Sequence, residues 1–296
     1  MKTPLFHLLG FLLLISSCNT ELNIEVPSVK QELTVYAFIN PEDTSSSIFI
    51  NRTAGYGEYI SLGTNNLPSP ATVNLMDGMD VLANFSQMDS STIYAGAYSP
   101  FGLPGQSYLL RAEHPTLGTI EATSIIPEKV VIQKVEAIQD FIGENEENVK
   151  HGLEITFDDP GAMDNFYSFS FFDIDVNSSV PVLIDVNLVD ILTPATSKID
   201  GINYKTSYAL HDGDFNGQSV TLRFEIRKGD GTAPTDKAYI EVRFLDVPEY
   251  RHLQSLYAPT NVDLEPFIEP TLVYTNFDRG FGVFSLFTSA VYDVEE

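Results

Sequence analysis

The rhythm of apolar and polar residues constrains this chain more than any other feature. Val220, Leu222, Phe224 and Ile226 alternate with Ser219, Thr221, Arg223 and Glu225, and Ile240, Val242 and Phe244 alternate with Tyr239, Glu241 and Arg243. A period of two places successive side chains on opposite faces, which a pleated strand does and a helix does not. Similar short runs recur along the chain, separated by Gly, Pro, Asn and Asp, and this pattern predicts an all-β sandwich architecture. The chain has a single Cys. Internal disulfides and zinc-finger motifs each need at least two thiols, so the strands must be held by buried apolar surface. No repeat of fixed length is present, which argues against a solenoid or propeller.

Seven strand-like segments precede Pro127: 33–40, 47–52, 71–76, 79–85, 92–95, 107–113 and 119–126. Asp77-Gly78 supplies the positive φ angles of a tight hairpin between the third and fourth. His114-Pro115-Thr116-Leu117-Gly118 supplies the reversal between the sixth and seventh. The number and spacing suit an immunoglobulin-like or fibronectin-like sandwich over residues 32–127. Pro127-Glu128-Lys129 reads as a joint, followed by a second β domain over residues 128–296. There Tyr167, Phe169 and Phe171 share one face. Residues 248–257 predict one short helix, with Pro248 at its start, Leu253, Leu256 and Tyr257 at helical spacing, and Glu249 and Arg251 toward water.

The amino terminus carries an address. Lys2 precedes the apolar run Leu5 to Ile15, and Ser16-Ser17 precede Cys18. That run is too short to span a bilayer as a helix, which takes about 20 residues. Residues 1–17 therefore read as a cleaved signal peptide. Ile15-Ser16-Ser17-Cys18 resembles a bacterial lipobox, and the sole Cys of the chain lies at the position that becomes lipidated. A diacylglycerol and an N-acyl chain on Cys18 place three acyl chains in the bilayer. At about 0.8 kcal/mol per buried CH2, this anchors the protein durably. Residues 18–31 then read as a lipidated tether without strand alternation.

Composition closes off several functions. Against 41 Asp and Glu stand 16 Lys and Arg, a net charge of -25. Such a field repels phosphate backbones, so nucleic acid is not an expected partner. Metal ligands are the natural search in an acidic chain. Asp212-Gly213-Asp214-Phe215-Asn216-Gly217 has the oxygen alternation of half a calcium loop, so Asp212, Asp214 and Asn216 are weak candidates for calcium. The twelfth position is Arg223 where a calcium loop has a bidentate Glu, and a plain Asx-type turn is the stronger reading. Asp173-Ile174-Asp175-Val176-Asn177 alternates in the same way, with Ile184 in twelfth place. Asp158-Asp159-Pro160-Gly161 reads as a turn at a strand end. His114, His151, His211 and His252 fit no metal-binding helix spacing, and neither a nucleophile elbow nor a phosphate loop is present. No catalytic residue and no cofactor is assigned.

The strand Leu33 to Asn40 with Pro41 behind it, the segment His211 to Gly217, and the ending Glu269 to Asn276 through Gly280-Phe281-Gly282-Val283-Phe284 resemble a known family. It is the Bacteroidota lipoprotein family known as domain of unknown function 4249. The likeness covers nearly the whole chain, and its most distinctive part is a terminal strand from Pro270 to Asn276 followed by Gly280-Phe281-Gly282-Val283-Phe284. Phe277-Asp278-Arg279 stands where an Ile-Glu-Asn-like run is usual. The resemblance implies a lipoprotein of the outer membrane, often encoded near TonB-dependent receptors, and carries over no catalytic residue. Read from the residues alone, Gly280 and Gly282 let the backbone approach a neighbouring strand, so that Val283 and Phe284 enter a core and the last strand closes a sheet.

These readings converge on a non-enzymatic outer-membrane lipoprotein, facing the periplasm or the cell surface. Its partners are the bilayer, through acylated Cys18, and a TonB-dependent receptor to which it is an accessory or presents a ligand. Two alternatives stand beside it. One is a surface hydrolase acting on glycans or peptides through carboxylates in an inter-domain cleft. The other is an adhesive or structural surface lipoprotein.

Overall fold

The computed structural model describes residues 30–55, 58, 66–141, 150–174, 181–183, 185–192, 202–203, 207–227, 238–257 and 272–294. The leader, Cys18 and most of the tether lie outside these residues, as do Asp175 to Asn177. Among the described residues the chain is all-β apart from one short helix and a single 3-10 turn at Asp212–Asp214.

All seven early strands form: β1 (Leu33–Ile39), β2 (Ser45–Arg52), β3 (Thr72–Asp77), β4 (Asp80–Gln87), β5 (Ile93–Ala97), β6 (Ser107–His114) and β7 (Gly118–Ile125). The β3–β4 turn sits one residue later than Asp77-Gly78 suggested. Asp77 pairs with Asp80, and Gly78, at φ 58, and Met79 make the reversal. A register shift between Leu75 and Met76 accounts for the offset, since one extra residue in a strand displaces the pairing beyond it.

The second region contributes β8 (Ile132–Phe141), β9 (Lys150–Asp158), β10 (Phe166–Ile174), β11 (Pro181–Leu183), β12 (Asp185–Leu192), β13 (Ile202–Asn203), β14 (Ser207–His211), β15 (Ser219–Arg227) and β16 (Tyr239–Leu245). Helix α1 (Val247–Tyr257), β17 (Phe281–Leu286) and β18 (Thr288–Asp293) follow. One sheet runs β13-β14-β10-β16-β18 with β11 beside β10, and the other runs β12-β15-β9-β8. Their facing sides meet in one aromatic core, where Phe157 lies 5.1 Å from Tyr167 and Phe169 lies 5.4 Å from Phe224, ring centre to ring centre. Offset and tilted pairs of this kind add about 0.5–1.5 kcal/mol each beyond their burial.

The carboxyl-terminal strands divide between the two regions. β17 joins the early strands in an eight-stranded sheet of order β17-β1-β2-β5-β4-β3-β6-β7, and runs parallel to β1 with Gly282 opposite Val35. After Phe287 the chain enters the other body, where β18 pairs with β16. By its contacts, Phe277 to Leu286 therefore belongs with the first core, to which Phe277, Phe284 and Leu286 contribute. The glycines explain the close approach. A Cβ on Gly282, at φ 115, would lie 1.8 Å from the Val35 carbonyl oxygen, and one on Gly280 would lie 2.4 Å from that of Leu33. Closure of the sheet by the strand of Val283 and Phe284 is what the sequence predicted, but it is not the last strand, since β18 follows it into the other sheet.

The far edge of the sheet is bridged as well. Asn276 Nδ2 donates to the Thr123 and Phe284 carbonyls at 3.1 and 2.8 Å, and its Oδ1 accepts from Phe284 N at 3.0 Å. Asp278 and Glu121 exchange two bonds, and Leu286 N donates to Ser124 Oγ at 2.6 Å. The strands thus curl into a nearly closed barrel-like sandwich, which removes the exposed edges that invite aggregation.

Candidate functional site

Where the two bodies meet, residues from four places converge on a partly open cavity of about 160 Å3. Gly105 comes from the β5–β6 loop, Ile125 to Glu128 from the end of β7 and the joint after it, Met163 to Tyr167 from the β9–β10 loop and the start of β10, and Phe244 to Val247 from the end of β16 and the start of α1. The lining is mostly apolar, and Ile125, Met163 and Val247 leave about half of their surface in water. Apolar side chains exposed together in a concave surface are the usual mark of a binding region.

One side of the cavity rests on a buried polar cluster that joins the bodies. Asp246 follows β16 and caps α1, its Oδ1 accepting from Glu249 N at 3.0 Å. Ser124 of β7 donates its hydroxyl to Asp246 Oδ2. Ser285 of β17 lies 2.8 Å from Asp246 Oδ1 and 2.7 Å from Glu249 Oε2. Arg243 completes the group, with Nη2 3.2 Å from Glu249 Oε1 and its guanidinium 3.6 Å above the Phe287 ring. The guanidinium pairs with Glu249 alone, leaving Asp246 without a cation among the described residues, and Ser285 has one hydroxyl proton for two acceptors. A proton on Asp246 relieves both mismatches. Burial, reinforced by the neighbouring Glu249 carboxylate, pushes Asp246 up to about 7 against the lowering effect of its hydrogen bonds.

The helix is where it was expected, but its inward face is polar. Glu249 and His252 are buried with Tyr250, while Leu256 and Tyr257 are about half exposed. The expectation that Glu249 faces water is therefore corrected. Its carboxylate has Arg243 and Ser285 waiting inside, and His252 Nδ1 donates to the Tyr274 carbonyl at 2.9 Å. An apolar-stripe reading cannot see partners that arrive from β16, β17 and the segment before it.

The other side of the cavity is built by the β9–β10 loop. Asp159 is buried, accepting from Tyr167 Oη and, at 2.8 Å, from Gly217 N. Asp212 is fully buried, with Oδ2 accepting from Asn165 N at 2.8 Å and Asn165 Nδ2 at 3.2 Å. Desolvation raises both carboxyls above their ordinary range. Tyr167 is raised too, first by burial and then by Asp159. Of the sequence candidates for calcium, only Asp212 points inward, while Asp214 and Asn216 are exposed on the turn. Arg223, at the twelfth position, is a strand residue bound to Glu154. Among the described residues, the group that brings metal-ligand atoms together is Asp164, His211 and Asp212, whose atoms lie within 4.8 Å of one another.

A Ser–His contact also occurs, Ser69 Oγ lying 3.2 Å from His114 Nε2. His114 Nδ1 accepts from Thr116 N and Leu117 N, each at 3.2 Å, so in the neutral ring the proton sits on Nε2. That nitrogen lies 3.1 Å from the Ser69 carbonyl, to which it donates, and it cannot take a proton from the Ser69 hydroxyl. The contact fixes a loop.

The model of the family described as "Domain of unknown function (DUF4249)" matches residues 19–293. The chain belongs to the DUF4249 family. No curated protein matches this DUF4249 chain. Among solved structures it is similar to a Salmonella alpha-2-macroglobulin, at 11% identity and a TM-score of 0.25, over 75% of this chain and 14% of that one. It is also similar to a collagen adhesin from S. aureus, at 6% identity and a TM-score of 0.21, over 90% and 93%. A third is the collagen binding domain of the Erysipelothrix rhusiopathiae surface protein RspB, at 8% identity and a TM-score of 0.19, over 90% and 98%. At these scores the likenesses carry no functional argument.

Proposed function

We propose that this DUF4249 chain is a non-enzymatic outer-membrane lipoprotein, held by acylated Cys18, whose junction cavity presents an apolar ligand group to a TonB-dependent receptor. The observation that carries the reading is the cavity between the two bodies, with Ile125, Met163 and Val247 half exposed around it. The sequence feature that supports membrane attachment is the lipobox-like run ending at Cys18. The acceptor oxygens at the rim, Glu128 and Asp164, suit a ligand whose polar end donates hydrogen bonds.

The hydrolase alternative would use Asp246, the cavity carboxyl most strongly displaced in acidity. Both of its oxygens are engaged by Ser124, Ser285 and the helix amide, which favours a joining role over a reacting one. Affinity-tagged protein extracted from its own membranes in mild detergent tests the proposal. A TonB-dependent receptor is expected to co-purify reproducibly, and a co-purified small ligand seen by native mass spectrometry is expected to be lost from Met163→Lys. Absence of any envelope partner, with an unchanged ligand signal in Met163→Lys, would defeat it.

A further inference from the structure

We infer that Asp164, His211 and Asp212 form a binding site for a borderline divalent metal ion of the zinc class. Two independent observations meet there. The first is the donor set: one imidazole nitrogen and two carboxylate oxygens, all within 4.8 Å of one another. The second is an unsatisfied pair of buried atoms. Asp212 is fully buried, and its Oδ1 has no hydrogen-bond partner, although its Oδ2 has two. His211 Nε2 is likewise enclosed without a hydrogen bond, and the two atoms face each other at 3.2 Å. A buried carboxylate oxygen left unpaired is costly, and proteins rarely tolerate one without a partner or an ion.

The spacing fits a metal. Zinc bonds of about 2.0–2.2 Å at tetrahedral angles separate neighbouring donors by roughly 3.4 Å. Asp212 Oδ1 lies 3.2 Å from His211 Nε2, and Asp164 Oδ2 lies 4.0 Å from the same nitrogen. The Asp164 side chain is 72% exposed, so it can swing inward after the ion arrives and leaves an entry path from solvent. The scaffold holds the other two ligands. Asn165 clamps Asp212 through two bonds, and His211 stacks on Phe166 with ring centres 4.8 Å apart. The imidazole decides the class of ion, because calcium takes six to eight oxygen ligands while imidazole suits zinc and its first-row neighbours. This differs from the calcium loop suggested by the sequence, sharing Asp212 with it and replacing Asp214 and Asn216 by Asp164 and His211.

The test uses the full chain with Zn2+ in calorimetry and Co2+ in visible absorption, at neutral pH with excess Ca2+ present. One Zn2+ per chain is expected to bind despite the Ca2+, and Co2+ is expected to give the absorption bands of a protein-bound ion. Asp164→Asn removes an exposed ligand without touching the core, and should weaken Zn2+ binding at least tenfold. His211→Gln should weaken it further, with an unchanged far-ultraviolet spectrum confirming that the fold survives. Failure of the wild type to bind Zn2+, binding by both variants as tight as that of the wild type, or displacement of Zn2+ by Ca2+ would each overturn the assignment.

Discussion

Replacing Asp246 by Asn removes one ionisable group while keeping its shape and its ability to cap α1. In the folded protein this carboxyl is held up to about 7, whereas an unfolded Asp titrates near 4. Between those values the folded state binds more protons, so the linkage runs opposite to the usual salt-bridged Asp. The stabilising contribution is complete below about pH 4 and is lost as the pH rises through 7. From about pH 5 to pH 8 this contribution falls by roughly two powers of ten in the folding equilibrium, so the wild type should lose about 3 kcal/mol from this group. Self-repulsion at a net charge of -25 also erodes stability with rising pH, but the variant shares nearly all of that background. Urea unfolding of both proteins at the two pH values isolates the Asp246 effect as the difference between their losses. The wild type should lose about 3 kcal/mol more than Asp246→Asn. Equal losses would mean that the junction carboxyl is ionised throughout and that the charge accounting around Arg243 and Glu249 is wrong.

Gly282→Ala places a Cβ against the Val35 carbonyl at a left-handed φ, and should cost about 4 kcal/mol or more, read as a lower urea midpoint. Asn276→Ala removes three hydrogen bonds across the closing edge and should cost about 2–3 kcal/mol by the same measurement. Cys18→Ser should move the protein from the membrane to the soluble fraction while leaving its circular dichroism unchanged, because the tether precedes the first strand.

The strands were legible because their partners lie on the same period. In β1, buried Leu33, Val35, Ala37 and Ile39 alternate as the letters do. The closing role of β17 could be read from Gly280 and Gly282, since two glycines in a strand signal backbone approach. Its position between two bodies could not, because nothing in the letters says which sheet β17 or β18 will join. The polar junction shows the same limit. Asp246-Val247-Pro248-Glu249 is a readable helix start, with an acid at the cap and Glu at the third position. Nothing in the letters ties it to Ser124, which lies 122 positions away. The candidate metal group fails for the same reason: His211 and Asp212 adjoin in sequence, but Asp164 arrives from the loop before β10. Local alternation reports a face, whereas a site depends on which loops the topology brings together.

The claim beneath the proposed function is that a lipid at Cys18 holds the two-body β protein on a membrane. Mass spectrometry of the amino-terminal peptide from membrane-extracted protein measures this directly. The account predicts a mature chain beginning at Cys18 with a thioether-linked diacylglycerol and an amide-linked acyl chain. A free thiol at Cys18, or a retained leader, would contradict it.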